Sequence, residues 1–371
     1  MSRPAASIRP GMVETTERGR AMSDGWMRDM VAGLGDEDRR RLLGLLEEAI
    51  RGEMPPGPAE PGDGRPTECP RCGCGRVVGH GRDGRGRRRW LCRGCGRSFG
   101  ASTGRVLGAT RLGAGAWREY ASAMLDGATL RSCARRAGVS LRTSFFMRHR
   151  LCEVMARTAP ALRARRGCRV LLDELLVPDS LSGNHTRNPS FSMPRPARRR
   201  GQDGVRRGVS RDKVSVALAL DERGGARAEA IGLGRGTRDG VHGFLVSCGV
   251  RRGCVLVSDD DPAYPAAALG TGARNEPHPS GDRGPLNRMN ALCSSLRHWL
   301  SRFRGVSTRR LANYLAWFTW ALDARRAGSA LALLAEEAGS RAYHTTRRGC
   351  AATPYPFHPE LDGSVGVSKE G

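Results

Sequence analysis

Lysine is nearly absent from this chain. Lys213 and Lys369 are the only two, so arginine supplies the rest of the 62 basic side chains. The glycine-rich GLGRG at 232–236 is not followed by the Lys-Ser/Thr of a phosphate-binding loop, which argues against a nucleotide pocket and for a turn after a strand. Long apolar runs are missing too. Nothing approaches the roughly 18 consecutive apolar residues of a membrane span, and the first thirty residues carry charge throughout without an apolar targeting core. A membrane protein is therefore not expected, and a cytoplasmic, nucleoid-associated location is. Acids are scarce: 37 against 62 bases leave a formal charge of +25. A surface so one-sided repels itself unless it meets a polyanion, and nucleic acid is the expected partner.

Cysteine, by contrast, is plentiful at twelve residues, four of them in two CxxC pairs and the others single. That usage suits metal binding in a reducing compartment better than a disulfide scaffold. Cys69 and Cys72 (CPRC) are followed after nineteen residues by Cys92 and Cys95 (CRGC). Each CxxC turn presents two thiolates, and zinc takes four soft ligands in a tetrahedron. Short strands at Val77-Val78 and Arg89–Leu91 complete a zinc ribbon, whose arginine-rich turn, including Arg87, Arg88 and Arg89, offers phosphate contacts. Cys74 is read as an extra thiol outside the ligand set.

The rest of the chain divides by pattern. Residues 1–66 read as a polar N-terminus, a helix over Asp36–Met54 and a Pro/Gly linker; 67–104 as the ribbon; 105–160 as helices. Within the last of these, a helix over Leu130–Ala137, a turn Gly138–Ser140 and a helix over Leu141–Met155 make a helix-turn-helix, with Ser140 as N-cap and Arg142, Arg148 and Arg150 as DNA contacts. From 165 to 326 strands appear. CRVLLDELLV (168–177) is a buried-strand run interrupted by Asp173 and Glu174, a costly placement unless a cation sits there. A basic loop spans Pro178–Ser210. A hairpin follows over Lys213–Leu220 and Ala226–Leu233, then a helix near Thr237–Cys248, and CVLVSDDD (254–261) runs into three acids. LNRMNALCSSLRHW (286–299) has the three- and four-residue spacing of a helix, with Asn290 and Arg297 two turns apart on one side. Another helix is expected over Arg304–Trp320, and the tail, 327–371, turns polar after Ala338 and is expected to be loosely ordered.

Strand with Asp, hairpin, helix, strand ending in Asp, then helices is the order of an RNase H-like α/β catalytic domain, here preceded by a zinc ribbon and a helix-turn-helix. In that topology the first and fourth strands are neighbours, so Asp173 and Asp259 converge. With Asn290 they form an oxygen donor set for Mg²⁺ or Mn²⁺, suited to two-ion phosphoryl transfer on DNA, while Arg297 grips the DNA. Asp261, two residues beyond Asp259, would share its face if the strand continued. Glu174 faces the other side of the sheet from Asp173.

At this point the chain resembles the insertion-sequence transposases that carry an N-terminal zinc ribbon and a DD(N/E)-plus-Lys pattern, the IS-fifteen-ninety-five-like group. The resemblance rests on CRGCGRSF, TLRSCARRAGVSLRTSFFMRHRL, the Asp173-Glu174 pair with SGNH and MPRPARRRG, RGVSRDKVSVALALD, SDDDPAY, LNRMNALCSSLRHWL and FRGVSTRRLANYLAWF, and spans about Asp36 to Arg326. It implies a transposase that binds terminal inverted repeats, cleaves there and joins 3′ ends to target DNA, acting as a homo-oligomer of at least two copies. By its pattern Tyr264 selects Asp259 as the second acid, Asn290 takes the third position and Arg297 the position of the Lys. The chain departs from the pattern at Arg297 (usually Lys), Pro285 (commonly His) and Asp260 (usually Gly). A catalytically inactive descendant that only binds DNA is the alternative, and a structure-selective nuclease of the same fold is a third.

Overall fold

The computed structural model describes residues 65–182, 208–278, 283–325, 330–339 and 349–361, with gaps at 85, 102, 106–109, 160–161, 163, 165 and 351–352, together with Gly35 and Glu37. The expected helix over Asp36–Met54, most of the linker and most of the basic loop over Pro178–Ser210 lie outside these residues. By contact density the chain divides into two compact units, Met1–Met54 and Pro55–Gly371, and everything below belongs to the second.

The N-terminal part is a three-stranded antiparallel sheet, β1 (Val77–Arg82), β2 (Arg88–Cys92) and β3 (Ser98–Gly100), in that order. The third strand was not anticipated from the pattern; it is three residues long and pairs Phe99 with Trp90. The hydrophobic cluster is tiny: Val77, Trp90 and Phe99 with Cys69 and Cys92. A core this small does not hold a fold unaided.

Three helices follow, α1 (Ala114–Leu125), α2 (Leu130–Arg136) and α3 (Leu141–Thr158). The hydroxyls of Thr129 and Ser140 accept hydrogen bonds from the N–H of Ser132 and Thr143, capping α2 and α3 as expected for Ser140. Each cap stabilises its helix by about 1 kcal/mol. The turn between them needs a left-handed residue, and Gly138 supplies it at φ 62°.

The larger sheet holds five strands, β4 (Arg169–Pro178), β5 (Lys213–Asp221), β6 (Ala226–Leu233), β7 (Val255–Ser258) and β8 (Arg274–Pro277), in the order β6-β5-β4-β7-β8. β4–β5–β6 are antiparallel; β7 and β8 add in parallel. The chain is thus a mixed α/β protein on a mixed sheet, and its first and fourth large-sheet strands are neighbours, as expected. Alternation along β4 and β5 divides the core. Val170, Leu172, Ala217 and Ala219 pack under α4 (Arg238–Ser247) and α5 (Ala263–Thr271), with Phe244 and Tyr264. Leu175, Val177, Val216 and Leu218 pack under α6 (Arg283–Ser301) and α7 (Thr308–Ala324), with Met289, Leu292, Leu296 and Leu315. Neither α5 nor β8 was read from the sequence.

Two expectations are corrected. Arg148 and Arg150 are 1% and 0% exposed and cannot reach a DNA groove from this fold. Arg148 donates to the Ala128 carbonyl at 2.7 Å and lies over the rings of Phe303 and Trp317; Arg150 lies over Trp117 and Phe146. Their charge is spent inside the helical core, which joins Trp117, Tyr120, Met147 and Met155 to Trp317, Trp320 and Leu334. Leu334 belongs to α8 (Ala330–Gly339), so residues on both sides of the anticipated boundaries at 160 and 326 share one core. The described part of the tail is also packed rather than loose: Arg310 donates to Thr353 Oγ1 at 2.6 Å, Arg309 covers the Tyr355 ring, and His358 Nε2 lies 3.1 Å from Asp179 Oδ2.

Candidate functional site

Two places gather chemistry-bearing side chains. In the first, one ligand atom from each of Cys69, Cys72, Cys92 and Cys95 lies within 4.8 Å of all the others. The turns aim amides at the sulfurs. Gly94 N–H and Cys95 N–H donate to Cys92 Sγ at 3.3 and 3.4 Å, and Arg71 N–H donates to Cys69 Sγ at 3.4 Å. Burial pushes the Cys69 thiol up, but the amides of Arg71 and Cys72 outweigh it and bring it to about 7; the Cys95 and Gly94 amides lower Cys92. The amides favour the thiolates of Cys69 and Cys92, while the neighbouring sulfurs push the Cys72 thiol up to about 12, a crowding of four converging sulfurs that a soft divalent ion such as zinc would relieve. Cys74 stays outside the set and packs against Gly94, where a Cβ would come within 2.8 Å of its sulfur.

The second place lies midway along β4 and just past the carboxyl end of β7. Their parallel ladder pairs Arg169 with Val255 and Leu171 with Val257, an offset of 86, and Asp259 stands the same 86 residues (259 − 173) after Asp173. The ladder itself stops at Leu171 and Val257 and β7 at Ser258, so Asp259 follows the end of that strand while Asp173 lies two residues further along β4. Asp173 looks toward α6: the Cys293 thiol donates to its Oδ2 at 3.4 Å, and Glu174 N–H to its Oδ1 at 2.7 Å. Cys293 is three residues after Asn290 and four before Arg297, so these three share the helix side that meets Asp173. Asn290 and Arg297 are exposed, while Cys293 is 7% exposed. Burial raises the Asp173 carboxyl above its ordinary range and the charge of Asp259 adds to this; the Glu174 amide, the Cys293 thiol and the Arg297 guanidinium act against them. Asp173, Asp259 and Arg297 are therefore in electrostatic contact.

The other acids have partners that keep them elsewhere. Glu174 points to the opposite face, where Ser215 Oγ and Gly236 N–H donate to its Oε2 at 2.7 and 3.1 Å. A Cβ at Gly236 would sit 2.0 Å from Glu174 Oε1, so a side chain there would push the Glu174 carboxylate from its place. Asp261 accepts from Arg235 Nε at 2.8 Å and from Ala263 N–H at 2.9 Å at the start of α5. Thus the GLGRG segment is the end of β6, Gly232-Leu233, and the bend that follows it, and it backs the acids: Gly236 seats Glu174 and Arg235 binds Asp261. Buried Tyr264 lies beneath, its phenol raised by burial and then by Glu174, Asp259, Asp173 and Asp261. His278 lies at the end of β8, its N–H donating to the Ser258 carbonyl at 2.8 Å, one residue before Asp259.

Comparison with known proteins can now be set beside this geometry. Over 256 residues, 67% of this chain and 83% of the relative, it is 27% identical to an uncharacterized protein in the transposable element ISH50 of Halobacterium salinarum. No family model matches. Among solved structures, a pre-cleavage Mos1 transpososome is 12% identical with a TM-score of 0.26, covering 61% of this chain and 78% of that one. A simian T-cell lymphotropic virus intasome in complex with PP2A regulatory subunit B56 gamma is 11% identical with a TM-score of 0.25, covering 54% and 67%. Scores this low do not establish a common fold.

Of the arginines expected to meet DNA, Arg142 is exposed at the start of α3, and Arg88 is exposed on β2. Arg87 is held by Asp83 at 2.8 Å and Arg89 donates to Ser98. Among the described residues, no helix is long and apolar enough to cross a membrane. Sequence reasoning passed over Cys293 and Arg235. Cys293 was detectable, because it falls between Asn290 and Arg297 on one helix side.

Proposed function

We propose that this chain is an insertion-sequence DNA transposase, binding terminal inverted repeats and catalysing divalent-metal-dependent strand cleavage and strand transfer on an RNase H-like domain. The observation that carries the reading is the matched spacing of Asp173 on β4 and Asp259 just past the end of its parallel neighbour β7, with Cys293, between Asn290 and Arg297 on α6, against Asp173. The relative in a transposable element supports it.

The donor set fits a hard divalent cation: two carboxylates and an amide oxygen, with one carboxyl partly buried beside its neighbour's charge, which a counter-cation relieves. Asp173, Asp259 and Asn290 would hold Mg²⁺ or Mn²⁺, which supplies activation of the attacking oxygen and stabilisation of the leaving one. The chain's own residues do the rest. Glu174, tied to Ser215 and Gly236, fixes the backbone on which Asp173 sits. Asp261, tied to Arg235, fixes the turn after Asp259. Arg297 meets the DNA phosphate from α6, adding a planar, permanently charged fork where the resembled group has a lysine. Cys69, Cys72, Cys92 and Cys95 would hold zinc as a structural ion of the ribbon, and α2 and α3 form the helix-turn-helix, with Arg142 at its open end. Two transposon ends must be held together, which calls for at least a dimer.

The test is cleavage of a duplex carrying the element's terminal repeat. Mg²⁺- or Mn²⁺-dependent nicking at the repeat boundary, lost in Asp173→Asn and in Asp259→Asn, is the expected result. Equal cutting by both variants would remove the site; repeat binding without cutting under any divalent ion would leave the non-catalytic DNA-binding alternative.

A further inference from the structure

Burial leaves little of α3 open. From Met147 to Cys152 its side chains are buried, and His149 Nδ1 lies 2.8 Å from Asn313 Nδ2 of α7. At the other end the Ser140 hydroxyl is taken up by the cap, accepting from Thr143 N–H at 3.2 Å and donating to Thr143 Oγ1 at 3.0 Å. In the first two turns the exposed side chains are Leu141, Arg142 and Phe145. Leu141 and Phe145, 48% and 37% exposed, are two of the five large apolar side chains exposed among the described residues. They stand four residues apart, on one side of the helix. Singly such residues are ordinary; grouped and rimmed by polar residues they mark a contact surface. Phe145 is also held in place: its ring meets His149 in a T-shaped contact at 4.3 Å, and the Arg310 guanidinium lies 5.6 Å from its centroid.

The surroundings set the charge of the partner. No acidic residue occurs between Asp126 and Glu153, while Arg131, Arg135 and Arg142 are exposed along α2 and the start of α3. Such a face attracts a polyanion. The partner must therefore combine negative charge with apolar groups that Leu141 and Phe145 can cover. The major groove of duplex DNA offers both. Among the base edges displayed there, thymine alone carries an apolar group, its 5-methyl. A helix-turn-helix brings the first residues of its second helix to those edges.

We propose that α3 enters the major groove by its first turns and that Leu141 and Phe145 pack on thymine methyl groups, so that this helix selects base pairs with thymine at the positions it covers. The choice of duplex DNA rests on the transposase reading; the exposed apolar pair and its cationic rim rest on the fold alone. The contact reads bases, whereas phosphate contacts only fix position along the duplex.

The experiment measures binding of the full chain to three fluorescent duplexes: one carrying the element's terminal repeat, the same duplex with deoxyuridine in place of every thymine, and a scrambled duplex of equal composition. The proteins are the wild type, Leu141→Ala/Phe145→Ala and Leu141→Ala alone, with the Tm checked in each. Deoxyuridine removes the methyl and keeps the O4 acceptor. Two methyl contacts, each worth about fourfold, should make the wild type bind the uracil duplex about tenfold more weakly. The alanine pair should lose about tenfold on the thymine duplex and stay within about twofold of wild type on the uracil one. Its slope of log K against log salt should be unchanged, because an apolar contact releases no counterion. Leu141→Ala should show part of the same thymine-dependent loss and serves where removal of Phe145 unsettles the helix. Equal binding of the thymine and uracil duplexes by the wild type overturns the proposal. So does a loss in the alanine variants that is the same on both, the result a minor-groove wedge would give. Equal binding of the repeat and scrambled duplexes, with the thymine-dependent loss retained, removes repeat recognition from the transposase reading and leaves the thymine contact.

Discussion

The two candidate sites are built in opposite ways. The cysteine cluster draws its four ligands from 27 consecutive positions, Cys69 to Cys95, and sits on a sheet with almost no core of its own. The acidic site draws Asp173, Asp259 and Asn290 from three separate elements and stands on a five-stranded sheet with helices packed on both faces. In the first place the ligands are the fold; in the second the fold comes first and the ligands are carried by it. The contrast says where each is vulnerable. Disturbing the cysteines should cost structure, and disturbing the acids should cost chemistry alone.

The sharpest way to break that contrast is metal removal. A structural zinc site contributes roughly 10–16 kcal/mol of binding free energy to a fold of this kind. A strong zinc chelator, or Cys69→Ser, should unfold the region around Trp90 while the large sheet keeps its cooperative melting transition; Trp90 fluorescence and differential scanning calorimetry follow the two separately. A ribbon that stays folded without metal would place it on the same footing as the sheet. Next in size is the loss of cleavage in Asp173→Asn and Asp259→Asn, expected to be on the order of 10³-fold or more, with circular dichroism unchanged. Unfolding of either variant would show that the acids hold the sheet together.

How much of this could be read beforehand follows the same division. The four-cysteine cluster was legible because its members are close in sequence and their spacing is chemistry. β4, β5, β6 and the side of α6 were legible from apolar period, and the adjacency of β4 and β7 followed from element order alone. β8 was not, since RNEP is four polar residues at a sheet edge with no alternation to see. Arg148 and Arg150 were misassigned because residue type was weighed above period: they adjoin Met147, Leu151 and Met155, and the rings that receive their guanidinium groups, Trp117, Phe303 and Trp317, lie mostly far away in sequence. That correction has its own test. Arg148→Ala should lower stability by about 2–4 kcal/mol, having removed a buried side chain stacked on two rings, and leave the salt dependence of DNA binding alone. Arg142→Ala should do the reverse, with stability within about 0.5 kcal/mol of wild type and DNA binding weaker by about 1–3 kcal/mol.

The smallest effect bears most directly on the contrast, because it asks whether the acidic site harms the fold that carries it. Burial and the neighbouring Asp259 raise the Asp173 carboxyl in the folded chain. For an acid with a raised folded value, the associated stability is present in full below the unfolded pKa, near 3.9, and is lost as pH rises through the higher folded value. At neutral pH, then, the fold bears an ionised Asp173 that it disfavours. Asp173→Asn removes that charge and keeps an oxygen for the Glu174 amide, so it should raise the Tm at pH 7 by about 2–4 °C, equivalent to about 1 kcal/mol, and flatten the acid-side dependence of Tm on pH. Adding Mg²⁺ should raise the Tm of the wild type and not of the variant, since a cation relieves only the charged form. A variant less stable than wild type at pH 7 would mean that the Asp173 carboxylate is already compensated inside the protein, and that this site, like the cysteine cluster, supports the structure around it.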